Sequence, residues 1–125
     1  PPEEGEEYLS AMNSFDLSPI LLFSPTTPLS RMEFISNFGR GFIYCVARKG
    51  VTGQKTVFTN DLTDYLMKCR RSTKLPLAVG FGIKQKSDID FLKGKSDIAV
   101  IGTQTIKIIE NEGVTSVGQF ISNLM

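Results

Sequence analysis

Histidine is absent from this chain of 125 residues, and cysteine occurs only twice. Without histidine the commonest general base is missing. With no Cys-x-x-Cys spacing either, a zinc site has no ligand set to build on. An excess of one charge is also lacking. Fourteen Lys and Arg against thirteen Asp and Glu leave a net charge of +1, which offers no polybasic field to nucleic acid or to an anionic membrane. No window approaches the roughly 20 apolar residues of a membrane span, and no signal-peptide pattern is read at the start. Cys45 lies inside an apolar, strand-like run. The two cysteines are therefore read as reduced residues of a cytoplasmic protein rather than as one disulfide.

What is present suits one domain, with enough apolar content for a core. The opening "PPEEGEEYLSAM" has no initiator methionine and places prolines and carboxylates where a helix begins. It reads as a helix start and as a piece of something longer. Four short apolar runs follow, at 19–25, 41–47, 75–82 and 97–103. Their β-branched and aromatic content fits strands covered on both faces, as in parallel sheets. Helix-like spacing separates them at 28–38, at 60–71 with Asn60 as cap, and at 87–93 with Ser87 and Asp88 as caps; a last helix spans 114–124. The alternation α-β-α-β-α-β-α-β-α implies right-handed crossovers and a parallel sheet. A small doubly wound sheet and half of an eight-stranded α/β barrel both satisfy it.

The stretch "PLAVGFGIKQKSDIDFL" removes two side chains, at Gly80 and Gly82, where a strand gives way to a helix. Bare backbone there calls for something that approaches closely. Gly53, Gly82 and Gly102 each sit just past the C-terminal end of a predicted strand, the edge at which parallel α/β folds bind ligands. A phosphate needs several N–H donors and no Cβ in the way. Around Gly102, "IGTQTI" adds the hydroxyl of Thr103 and the N-terminus of a short following helix. A tight turn selects glycine as well, so each position alone has two readings. Segment 47–58, with two glycines and three basic residues, reads either as an exposed connection or as a flap hinged at Gly50 and Gly53, with Thr52 as its polar contact. Glu110, Glu112 and Asp97 are read as solvated surface.

In their order and spacing, "GRGFIYCVARKGVTG" (39–53), "LPLAVGFGI" (75–83) and "AVIGTQTI" (99–106) resemble the tryptophan synthase α subunit family. "PILLFSPTTPLSRMEFIS" (19–36) sits where that family has its fifth strand and helix. The resemblance covers the whole chain but only the C-terminal half of the family's (β/α)8 barrel. It implies that residues 1–125 are one half-barrel of four parallel strands, the fifth to the eighth, with flanking helices. It implies part of a lyase of tryptophan biosynthesis that cleaves indole-3-glycerol phosphate to indole and glyceraldehyde 3-phosphate.

The two carboxylates that move protons in the family belong to its other half, so no catalytic residue is assigned here. By resemblance the substrate phosphate lies on Gly53, Gly82, Gly102 and Thr103. Leu22, Tyr44 and Phe81 wall the indole pocket, and Thr52 is the flap residue. If the Tyr44 ring points inward, alternation sends Phe42 and Val46 inward too and turns Ile43, Cys45 and Ala47 toward the helices. No cofactor is implied for this chain, since pyridoxal phosphate belongs to the β subunit. The implied partners are that β subunit and the N-terminal half-barrel, with self-association through exposed sheet edges as a further expectation. A silent phosphate-binding half-barrel and a docking surface for the β subunit remain as alternative roles. One departure is "TTPLSR" (26–31), which replaces an acidic helix start frequent in the family.

Overall fold

The structure is a computed structural model that describes residues 4–47, 60–80 and 82–125. Helix α1 (Glu6–Ser14) leads into β1 (Leu21–Phe23), α2 (Leu29–Ser36), β2 (Ile43–Val46), α3 (Asn60–Ser72) and β3 (Leu77–Gly80). Then come α4 (Lys86–Leu92), β4 (Ile98–Val100), α5 (Thr103–Glu112), a 3-10 turn (Val114–Ser116) and α6 (Val117–Leu124). The strands form one parallel sheet in the order β1-β2-β3-β4.

That order decides between the two architectures left open above. A doubly wound sheet reverses its strand order at a switch point, whereas barrel strands follow one another around the axis. Among the described residues there is no reversal. Side-chain alternation agrees. Phe23, Ile43, Cys45, Leu77 and Val79 are fully buried beneath the helices. Leu22 and Tyr44 share the opposite face and remain exposed or half-buried. The core therefore lies outside the strands, where Met32 and Ile35 of α2, Leu62, Leu66 and Cys69 of α3, and Leu92 of α4 pack on them. Tyr65 joins this core because its hydroxyl donates to the Phe23 carbonyl at 3.1 Å. Cys45 and Cys69 are both free and buried in the same cluster. The hydrogen bond to Cys69 and burial push the Cys45 thiol well above its ordinary range.

Several helix limits differ from the sequence reading. The last helix covers only 117–124, because Val114–Ser116 forms a 3-10 turn first. The helix after Gly102 is not short: it runs ten residues and stops at Gly113, whose φ of 90° ends it. Glu110 and Glu112 thus lie on α5, exposed as the sequence reading had them. Asn60 is the first residue of α3 rather than a cap outside it.

Helix α4 begins before Ser87, at Lys86, and Asp88 caps it from within. The buried Asp88 carboxylate accepts the amides of Lys84 at 2.8 Å and Gln85 at 3.1 Å. Asp88→Ala strands both donors and is expected to lower stability by about 1–2 kcal/mol in urea unfolding. Asp97 is more than solvated surface. Its carboxylate accepts from the Leu77 amide and from Arg70 Nη1, both at 2.9 Å, while Arg70 also donates to the Thr73 and Leu75 carbonyls. This network ties α3, β3 and β4 together at the strand entrances, the end of such folds that serves stability.

Candidate functional site

At the opposite end, β3 and β4 lie side by side, with Gly80 opposite Val100 in register. Both strands run toward the same edge, so Gly82 and the Gly102–Thr103 pair emerge from neighbouring strands of one rim. Both glycines and Thr103 are exposed. A Cβ added at Gly82 or Gly102 would meet no atom of the described residues within 4 Å, and neither has a positive φ. Among the described residues, therefore, neither packing nor a left-handed backbone demands glycine at these two positions. The turn explanation loses its basis there, and access for a group from outside remains.

The two helices that open on this rim differ. Helix α4 carries the negative Asp88 in its own first turn, bonded back to the amides of Lys84 and Gln85. Helix α5 starts from Gly102, which has no side chain to cap it, and its first intrahelical acceptor is used by the Ile106 amide at 3.1 Å. The amides of Thr103, Gln104 and Thr105 consequently face the start of a ten-residue helix, with the positive end of its dipole behind them. A helix start of the α5 kind favours an anion, and a first turn that already carries a carboxylate does so less.

Gly80 has a different purpose from Gly82. A Cβ at Gly80 would collide with the Tyr44 hydroxyl and lie 2.9 Å from the ring carbon that bears it. Tyr44 pairs with Ala78, and Gly80 is two residues further along the same face of the neighbouring strand. This diagonal reach is available to an aromatic side chain. One of the two missing side chains thus makes room for an internal neighbour and not for a ligand. Sequence reasoning read Gly80 as bare backbone for an approaching group; the signal for an internal reason was a glycine inside a strand rather than after it.

Leu22 is register partner to Tyr44 and 58% exposed, so the two form a continuous apolar wall on the inward face. Alternation also turns Val46, half-buried, to that face, and Ile43 and Cys45 to the helices, as the sequence implied. The structure therefore brings together Leu22 and Tyr44 on one wall, and Gly82, Gly102 and Thr103 on one rim. Thr52, Gly53 and Phe81 lie outside the described residues, as does most of the proposed flap.

Comparison with known proteins places this geometry in a family. The sequence profile of the family described as "Tryptophan synthase alpha chain" matches residues 1–122. A relative of that name from Desulforapulum autotrophicum is 58% identical over 124 residues, which cover 99% of this chain and 49% of that one. A second, from Syntrophotalea carbinolica, is 52% identical with the same coverage. Among solved structures, the tryptophan synthase A-subunit of Pyrococcus furiosus superimposes with a TM-score of 0.83 at 24% identity, covering 99% of this chain and 51% of that one. The chain thus spans about half the length of the curated relatives it matches.

Proposed function

This chain belongs to the tryptophan synthase alpha chain family, and on that premise we propose that residues 1–125 form the phosphate- and indole-binding half of an α-type barrel. The complete barrel would cleave indole-3-glycerol phosphate to indole and glyceraldehyde 3-phosphate in tryptophan biosynthesis. In this reading the substrate phosphate sits on Gly82, Gly102 and Thr103, with Gly53 from the adjoining loop. The observation that carries it is the pairing of an α5 without a side-chain cap with two glycines that nothing among the described residues requires.

The amides of the α5 first turn hold the phosphate dianion by charge-assisted hydrogen bonds, and Thr103 adds a hydroxyl. Anchored at the rim, the substrate directs its aromatic ring down the inward face toward Leu22 and Tyr44, with Phe81 as a third wall residue. Apolar walls of this kind orient a flat ligand and exclude water. Thr52 would close over the bound substrate. Proton transfer at the indole ring and at the glycerol hydroxyl requires carboxylates placed against those atoms. The family supplies them from its N-terminal half, so this half positions the substrate and leaves proton movement to the other. No cofactor is proposed for this half. We further propose the cytoplasm as the site of action and a β-type subunit as the receiver of indole.

The experiment supplies the N-terminal half-barrel of a close relative and measures indole release from indole-3-glycerol phosphate. Release is expected with both halves present and not with either alone. Phosphate binding without any indole release in the mixture would favour a silent binding module. Absence of both would contradict the assignment.

A further inference from the structure

On the helix side of the sheet, α3 and the turn after α4 leave a recess of about 200 Å³, lined by Leu66, Met67, Arg70, Arg71, Gly94 and Lys95. It lies at the end opposite the glycine rim, since α3 and α4 lead from there into the starts of β3 and β4. Its floor is apolar. Leu66 belongs to the core beneath, and Met67 beside it is 55% exposed. A methionine left in water at a recess is an adaptable contact for an apolar body. The lining holds three cations and no acid. Arg70 is already committed: Asp97 offsets its charge at 2.9 Å, and the Thr73 and Leu75 carbonyls accept from its other nitrogen. Arg71 is exposed and has no ion pair among the described residues. Lys95 donates to the Phe91 carbonyl at 2.8 Å and sits 4.4 Å from the centre of the Phe91 ring, contacts that hold its ammonium without neutralising it. The Gly94 amide donates to no acceptor among the described residues, and the φ of 80° at this turn accounts for the glycine itself.

We infer that this recess binds a small organic monocarboxylate with one apolar ring, its carboxylate held by Arg71 and Lys95 and its ring set against Leu66 and Met67. Each part of that ligand answers a feature of the lining. Two cations without a counter-ion and an amide without an acceptor suit an anion, and a planar guanidinium matches the two oxygens of a carboxylate. Volume sets the body. An apolar cavity of about 150 Å³ takes benzene, so 200 Å³ has room for one ring and a short acidic arm. A bare inorganic anion would leave the apolar floor uncovered, and an uncharged ring would leave both cations unused. A ligand of about ten non-hydrogen atoms in an open recess is expected to bind with a Kd on the order of a millimolar. Nothing in this assignment uses the glycine rim or the inward face of the sheet, so it stands or falls independently of the substrate reading.

The test is an NMR titration of the chain with phenylacetate, read at the Met67 methyl and at the amides of Arg71, Gly94 and Lys95. These signals are expected to move together on one saturating curve. Phenylacetamide, which keeps the ring without the charge, and acetate, which keeps the charge without the ring, should each bind at least about tenfold more weakly. The double variant Arg71→Gln, Lys95→Gln removes both free charges and is expected to weaken phenylacetate binding about tenfold or more, with urea unfolding as in the parent. If that variant fails to fold, Arg71→Gln alone, at an exposed position, should still show a several-fold loss. Equal binding of the amide or of acetate, or an affinity untouched by the substitutions, would overturn the site. So would shifts confined to Leu22, Tyr44 and the glycine rim, or no saturation by tens of millimolar.

Discussion

Gly80→Ala is expected to lower stability by about 1–3 kcal/mol and to displace the Tyr44 ring, because the new methyl would occupy the place of the phenol hydroxyl. Space alone could be relieved by moving the ring, but Tyr44 is held on a strand paired on both sides. The backbone itself is not the obstacle, since Gly80 has no positive φ. The clash is therefore specific to one side chain, which makes it separable. Tyr44→Phe removes the nearest atom, although the ring carbon at 2.9 Å still presses on the methyl. The double variant should therefore recover part of the loss, with a coupling of about 1 kcal/mol in a double-mutant cycle by urea unfolding. Additive losses would show that Gly80 and Tyr44 do not meet. In the reconstituted barrel the displaced ring should also weaken binding of the indole portion while leaving inorganic phosphate binding as it was.

Gly102→Asp is the second large effect, and it acts on the other half of the site. The added carboxylate would stand at the N-cap of α5, where it can accept amides of the first turn and place a negative charge against the anion. Two such charges about 4 Å apart repel by roughly 4 kcal/mol at a partly screened surface, so phosphate affinity should fall on the order of a hundredfold or more. Folding stability should hold or rise slightly, because a Cβ at Gly102 meets nothing within 4 Å and the helix gains a cap. Loss of binding together with unchanged stability in the same sample is the signature. A variant that binds phosphate as the parent does would remove α5 from the site.

The alternation of strands and helices was legible in the residues, because short β-branched runs and helical spacing are local signals. The parallel sheet followed from that alternation. Strand order was not legible from pattern alone: doubly wound and barrel sheets share the same local periodicity and differ only in which strands become neighbours. The family resemblance supplied what periodicity could not. Boundaries shifted where a residue acts at a distance along the chain. Asp88 looked like a cap for the residues after it, yet its carboxylate reaches back to Lys84 and Gln85. Helix α5 was read as short, yet Glu110 and Glu112 are good helix formers and nothing interrupts the helix before Gly113.

The placement of Gly82 and Gly102 on one rim was legible, because both glycines follow strand-like runs directly in the sequence. It was opaque at Gly80, because the reason for that glycine is a tyrosine 36 positions earlier in the chain that pairing brings alongside. Asp97 was likewise hidden, since its value lies in the Leu77 amide and Arg70, both distant in sequence.

A heteronuclear NMR titration of the chain with inorganic phosphate tests the phosphate rim most directly. The amide resonances of Gly82, Gly102, Thr103 and Gln104 are expected to shift together along one binding curve, with Lys84 and Gln85 at the capped start of α4 much less affected. Shifts confined to basic surface residues such as Arg71 and Lys95, or independent curves for residues 82 and 103, would contradict a shared phosphate site at this end of the sheet.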